Sequence, residues 1–560
     1  MNGSKDGNAS HRTRRAVTGL IGSLLLATLL VPEIGAHAGS PGGINPGNAI
    51  QATASGRMVL KALWTPHGNR RSAPVRMSAL PTMAPADYRA AKREAEQRAS
   101  SVVRGVEPNA APSLISALNN IDGTNFANSN GTGVSCGCHP PDTNIAAGTT
   151  QVLEAVNKSM DVYSRGTSSA SPSLLKRTSA ASFFKAASSD PITDPRVVYD
   201  PYWNRFVAMI TRRSTSSTDP DLHFFLAASK TASASGAWFV YKVTFGGGPF
   251  NDGDWIDYPG LALDQDAIVI TGNVFDTPTG GSKGAVALGI AKARVYNGLG
   301  FNFPIFSGLT GTLQPNMVLD QSNTDILEAF LPGNPATIRL YSCTEFEKPG
   351  ATSCVFKADV STGQNLPVPP PAPQPGTTLQ LDTLDARFEH RGVQFGNTVW
   401  QANGINFGGA AGHFFQINTS LNSISQQGTF FASGSSSDFN VSISANTNNE
   451  VFLTWTSVDS ANNVFPQVRF SGRQSSDAAG TIGAQSVLFT SPTFYSLTCG
   501  TCAPNVTRWG DYSYVALDPK TASGCAVSVT GGVFRRAWLV NEKVESNGTW
   551  GSRIGQIGFC

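Results

Sequence analysis

The chain has 560 residues, only 14% of them charged, and phenylalanine outnumbers methionine by 31 to 7. A net charge of +3 is too small to argue for nucleic acid or an anionic membrane surface as partner. With 57 glycines and abundant Ser, Thr and Asn, the composition suits many short strands joined by polar turns and excludes a helical bundle.

In chain order, Arg12, Arg14 and Arg15 precede an apolar run at 16–31, and Ala36-His37-Ala38 fits a small-residue cleavage site. This predicts a signal peptide over 1–38, hence an exported protein, extracellular or periplasmic. Arg14-Arg15 leaves the twin-arginine route open. The apolar run is short for a span and no later stretch is long enough, so no membrane span is expected. Residues 39–120 are rich in Ala, Pro, Gly, Arg and Ser. They read as a propeptide-like or spacer segment with one helix, from Pro85 to about Val103; a flexible linker is the alternative.

Repeats fill 121–560. Each has a strand, a turn and a second strand, as in Pro141-Asp142-Thr143-Asn144-Ile145-Ala146-Ala147-Gly148 followed by 151–156; most are entered through an acid, which the fourth copy, starting at Gln314, lacks and the fifth replaces with His390. Asp194-Pro195-Arg196-Val197-Val198-Tyr199-Asp200-Pro201 and Asp257-Tyr258-Pro259-Gly260-Leu261-Ala262-Leu263-Asp264 are further copies. Starts at 142, 194, 257, 314, 390, 438 and 511 give a mean step of (511−142)/6, about 61 residues. Each step has room for four strands. This predicts an all-β fold, a β-propeller of seven four-stranded blades, with six or eight also compatible. Regular spacing argues against a pair of β-sandwiches. The segment 366–376 (LPVPPPAPQPG) is expected to be a solvent-exposed, extended excursion, because proline removes ladder donors.

Eight cysteines in an exported chain predict disulfides. Cys343 and Cys354 bracket a hairpin, and Cys525 and Cys560 can tie the last strand to its blade. Cys136, Cys138, Cys499 and Cys502 either bridge first blade to last or include a local Cys499–Cys502 pair; zinc thiolates are the weaker reading.

The turns Ser233-Ala234-Ser235-Gly236-Ala237-Trp238 and Ser546-Asn547-Gly548-Thr549-Trp550 resemble the Asp-box of sialidase-like propellers without its Asp. Together with Pro140-Pro141-Asp142-Thr143-Asn144, Arg508-Trp509-Gly510-Asp511-Tyr512-Ser513 and Trp550-Gly551-Ser552-Arg553-Ile554, the chain from 136 to 560 resembles a group of secreted bacterial propeller-like proteins. The resemblance implies fold and secretion and transfers no catalytic residue.

The starts of innermost strands ring the channel mouth, where a polar or anionic sugar would meet converging acids, arginines and tyrosines. Asp257, Tyr258, His390, Arg391, Asp511 and Tyr512 are the catalytic candidates, for acid–base hydrolysis, a tyrosine nucleophile, or proton abstraction in a lyase. Arg196, Arg508, Asp142 and Asp194 are binding candidates, since an arginine forks a carboxylate. Against this, an acid repeated in blade after blade more often bonds the backbone of its neighbour, a reading that weighs most on Asp142, Asp194 and Asp438. Asp252 and Asp254, flanking Gly253, could hold calcium; a solvated loop is the alternative, and no cofactor is firmly implied. No serine-hydrolase elbow, zinc-protease or phosphate-loop motif is present. The sequence thus predicts a monomer that binds extracellular polysaccharide or glycan, and leaves open whether it also cleaves it by hydrolysis or elimination. A non-catalytic module for adhesion or surface-protein interaction is the alternative.

Overall fold

Strands covered by a neighbouring sheet on either side must be apolar or paired on both faces, and the core strands here follow that rule. Ile192–Asp200, Ala267–Phe275 and Val451–Asp459 are buried along their whole length. The computed structural model describes residues 49–50, 52, 54–70, 85–99, 104, 115–129 and 139–560, apart from 168–169, 247, 277–279, 332, 500–501 and 503. The expected signal peptide at 1–38, Cys136 and Cys138 lie outside the described residues.

Seven sheets of four or five strands are formed among the described residues. The first is a meander of Asn144–Ala147, Gln151–Val156, Ser159–Ser164 and Leu174–Ser179. Later sheets are entered through Ile192–Asp200, Trp255–Leu263, Asn316–Val318, Gly392–Phe395, Ser437–Ala445 and Tyr514–Leu517. These inner strands touch in chain order, and Tyr514–Leu517 returns to touch Asn144–Ala147, so the cycle closes. The fold is all-β, a β-propeller. At the fourth position the inner strand is shared. Asn316–Val318 pairs in parallel with Gly392–Phe395, while the bridge Gln314↔Glu328 ties its approach to Thr324–Phe330. Apolar side chains from successive sheets interleave between them. Trp238, from one of the Asp-box-like turns, is fully buried, with ring centroids 4.8 Å from Phe183 and 6.5 Å from Phe206.

The last sheet is completed from the other end of the chain. Ser116–Asn125 pairs antiparallel with Trp550–Gly558, so the boundary expected at 120/121 falls inside a strand. The segment 39–120 also contributes more than a helix. Ala49–Ile50, Ala54–Met58 and Ala62–Trp64 add outer strands beside Ser353–Ser361, Phe301–Leu309 and Trp238–Thr244. These pairings use backbone groups that an exposed sheet edge leaves unpaired, so they leave little apolar signature in the sequence. The helix is Pro85–Ala99. No helix of the described residues is long and apolar enough to cross a membrane.

The Pro-rich segment corrects the expectation of solvent exposure. Leu366, Val368 and Ala372 are buried, and Ala372–Pro373 pairs with Gln380–Leu381. Proline lacks only the N–H; its carbonyl still accepts, and Pro369 O takes a bond from Lys92 Nζ at 3.0 Å. Disulfides join Cys343 to Cys354, Cys499 to Cys502 and Cys525 to Cys560.

Candidate functional site

Inner strands are entered through a recurring backbone device. Asp142, Asp194, Tyr258, Thr312 and Asn440 hold φ between 53° and 56°. For Asp194, Tyr258 and Asn440 this coincides with a shift of register against the second strand. Asp and Asn accept left-handed backbone readily; a Tyr or a β-branched Thr does so only under strain held by its surroundings.

Near these bulges several of the expected ring residues are bonded across blades. Asp142 Oδ1 accepts from the Asp511 N–H at 2.8 Å, and its Oδ2 from Asn157 Nδ2 at 2.6 Å. Asp194 Oδ2 accepts from the Tyr512 hydroxyl at 2.8 Å and from the Tyr258 N–H at 3.2 Å. The Tyr258 and Tyr512 rings lie 4.8 Å apart, and Arg196 Cζ stacks 3.3 Å from the Tyr512 centroid. Asp142, Asp194, Arg196, Tyr258, Asp511 and Tyr512 are all buried. Asp438 is bonded within its own sheet, accepting from Trp455 Nε1 at 2.9 Å.

Arg508 pairs with Asp511 and lies 3.6 Å from Asp382 Oδ2. Asp382 in turn accepts from the Tyr88 hydroxyl at 2.7 Å and faces Lys92 Nζ at 3.7 Å, so the helix Pro85–Ala99 is anchored on the same acids. Lys92 also donates to Thr383 Oγ1 at 2.8 Å. Beside them Arg387 forks Asp385 at 2.5 and 2.6 Å, and Glu542 Oε2 accepts the Gly510 N–H at 2.6 Å.

Burial governs the electrostatics. It raises Asp142 well above the usual carboxylate range, helped by Asp511 and Asp194. Burial raises Asp257 with Asp194 and Asp511, Glu389 with Asp511, and Asp511 itself. Asp382 is the exception: burial pushes it up, but Lys92 and Arg508 outweigh that and hold it below its ordinary value. Burial brings Lys92 down to about 8 against the pull of Asp382. His390 falls well below its ordinary value through burial, then Arg196 and Arg391. Burial raises the phenols of Tyr258 and Tyr512 well above theirs, the opposite of what an activated nucleophile or base requires.

No family model matches the chain, and no curated protein matches it. Solved structures similar to it include the endosialidase of phage phi92 (7% identity, 80% of this chain and 69% of that one, TM-score 0.34). The α-L-arabinofuranosidase of Fusarium graminearum matches at 9% identity over 80% and 97%, TM-score 0.30. The exo-β-1,3-galactanase of Phanerochaete chrysosporium matches at 10% over 79% and 96%, TM-score 0.29. Scores this low carry no weight for fold or chemistry; the propeller rests on its sheets and their closure.

Three expected candidates, Arg391, Asp252 and Asp254, stand apart from this cluster. Arg391 helps line a pocket at the opposite ends of the inner strands, with Ala147, Ser444 and Leu517, and its Cζ lies 4.6 Å from the Tyr514 centroid. Asp254 is bound to Lys283 Nζ at 2.8 Å through both oxygens, and Asp252 is exposed. A lysine thus holds the carboxylate that calcium would need. Among the described residues no group of three His, Cys, Asp or Glu side chains could hold a metal ion. Missed altogether were Tyr88, Lys92, Asp382, Asp385, Arg387, Glu389 and Glu542. A signal was available: Asp382, Asp385, Arg387, Glu389 and Arg391 crowd five charges into 382–391 of a chain that is 14% charged.

Proposed function

We propose that the chain is an exported, seven-bladed propeller that binds the end of an extracellular glycan at the mouth framed by Arg508, Asp511, Glu389 and Glu542. The carrying observation is a set of buried polar atoms there with no hydrogen-bond partner among the described residues. Donors are Arg508 Nε and Nη1 and Trp509 Nε1; acceptors are Glu389 Oε2 and Glu542 Oε1. Sugar hydroxyls both donate and accept, so they can meet both sets of atoms. Carboxyls of opposed tendency, Asp382 held down and Glu389 pushed up, supply the base and acid that glycoside hydrolysis needs. The disulfides suit an oxidising compartment.

A second reading, a non-catalytic adhesion or interaction module, is favoured by the cross-blade bonds of Asp142, Asp194 and Tyr512, which give those groups scaffolding work. One experiment separates the two. The full chain and a Tyr88→Ala/Lys92→Ala variant, which loosens the helix over the mouth, are incubated with acidic and neutral polysaccharides. New reducing ends identify a hydrolase, and absorbance of an unsaturated uronate identifies a lyase. Glycan-array binding without either leaves the binding module, and no binding by either protein overturns the proposal.

A further inference from the structure

The helix Pro85–Ala99 is tied to the propeller differently from the rest of its segment. The outer strand Ala54–Met58 is held by a run of backbone pairs. The helix has no such ladder and little apolar surface to bury. Only its Lys92 and Ala95 are buried, Tyr88, Ala91 and Ala99 are half-buried, and every other residue from 86 to 99 is exposed. Side-chain bonds fix it instead. The Tyr88 hydroxyl donates to Asp382 Oδ1 at 2.7 Å, and Lys92 Nζ to Thr383 Oγ1 at 2.8 Å and Pro369 O at 3.0 Å. Asn406 Nδ2 donates to Ala95 O at 3.1 Å. An element with few buried apolar contacts opens at the low end of a protein's range of local stabilities. The partnerless atoms of Arg508, Trp509, Glu389 and Glu542 are themselves buried, so a ligand reaches them only after something moves. Of the named elements at this mouth, the helix is the one that belongs to no sheet.

The geometry points to Pro85–Ala99 as a displaceable lid, and to the Lys92 ammonium as the occupant of a subsite for the free amine of an amino sugar at the glycan's end. The lid and its subsite deepen the glycan reading and depend on it. An ammonium has three N–H donors, and three oxygens surround Lys92 Nζ: Thr383 Oγ1, Pro369 O and, at 3.7 Å, Asp382 Oδ1. Asp385 adds its field to that of Asp382. Lys92, brought down to about 8, is still protonated at neutral pH. When the helix leaves, Asp382 loses the Tyr88 hydroxyl and this cation together, and keeps Arg508 at 3.6 Å. A neutral sugar leaves that deficit in place, and a buried carboxylate short of a partner is costly. A glucosamine-type ammonium restores both the charge and the three donors. An acetylated amine is uncharged and has one N–H, so it restores neither.

Titration calorimetry of the full chain at neutral pH tests this, with the β-1,4-linked glucosamine tetramer, its fully N-acetylated counterpart and trilysine at matched ionic strength. The glucosamine tetramer is expected to bind Tyr88→Ala/Lys92→Ala about tenfold or more tightly than it binds the parent, because the built-in competitor is gone. On that variant it should also exceed the acetylated tetramer by about tenfold or more, the worth of a charge-assisted contact. In the parent, saturating glucosamine tetramer should speed amide hydrogen exchange within 88–99, a readout that needs no variant. Unchanged exchange there, or equal affinity of parent and variant, would overturn the lid. Equal binding of the acetylated tetramer, or of trilysine, would overturn the amino-sugar subsite. Binding of acidic or neutral polysaccharides without binding of the glucosamine tetramer would overturn the subsite alone, whereas no glycan bound by either protein removes the glycan reading as well.

Discussion

Single acids in this chain do opposite things according to what surrounds them. Glu328 sits fully buried between sheets, accepting from Gln401 Nε2 at 2.8 Å and Asn316 Nδ2 at 2.5 Å. Burial carries it from 4.5 up to about 8, against those two bonds. Unfolded, the carboxyl releases its proton near 4.5, whereas folded it keeps it until about 8. Its contribution to stability is therefore complete below pH 4.5 and is lost as pH rises through 8. Glu154, raised to about 7, and Asp264, raised to about 6, act in the same sense. Denaturant titrations at pH 5 and pH 8 should show Glu328→Gln flattening this slope by on the order of 3 kcal/mol; an unchanged slope would mean that Glu328 ionises normally in the fold. The acids ringing the mouth differ in consequence. Asp142 and Asp194 accept from their neighbours' backbone and side chains, as repetition in the sequence suggested. Asp382, within the charge-dense run 382–391, is held below its ordinary value by Lys92 and Arg508, against burial. Residues 382–389 precede the strand entry at 390 and match no repeat, so spacing does not single them out.

At the level of the strand, the closing element is the one with least tolerance. Gly123 lies in Ser116–Asn125, and a Cβ there would run into Ser552 Oγ and the Glu154 carboxylate, both of them bonded to each other. Gly123→Ala is expected to lower stability by about 1–3 kcal/mol, read as a drop in melting temperature without change of secondary structure. A neutral outcome would show that the last sheet is closed some other way. The inner strands were legible because their acid, aromatic and apolar residues recur at a steady step. The closing strand was not. Ser-Ala-Leu-Asn-Asn-Ile-Asp-Gly-Thr-Asn has little alternation, since it meets its partner Trp550–Gly558 on an edge where backbone groups do most of the joining. The outer strands Ala54–Met58 and Ala62–Trp64 escaped notice for the same reason. Left-handed residues such as Asp194 and Asn440 were also missed as a set, because Asp, Tyr, Thr and Asn share no side-chain chemistry, only a backbone conformation.

For the molecule as a whole, stability depends on keeping the last strand in place. Cys560 is tied to Cys525 across 35 residues, and removing such a link typically costs about 3–4 kcal/mol by loss of restraint on the unfolded chain. A Cys525→Ser/Cys560→Ser variant should melt at lower temperature than the parent, and reduction should leave the variant's remaining loss small; equal melting would assign the bond no role in holding the blade. The sheet that this bond secures is built from Ser116–Asn125 and from Tyr514–Leu517, Arg536–Val544 and Trp550–Gly558. Its two contributions are made at opposite times during synthesis. A ribosome releases the first long before the second, and six sheets can assemble while the seventh still lacks three strands. Until residues 550–558 have been made, the early strand keeps an open edge, able to pair with another chain. Any helper that shields it must therefore act near residue 120 and let go only once residue 558 has arrived.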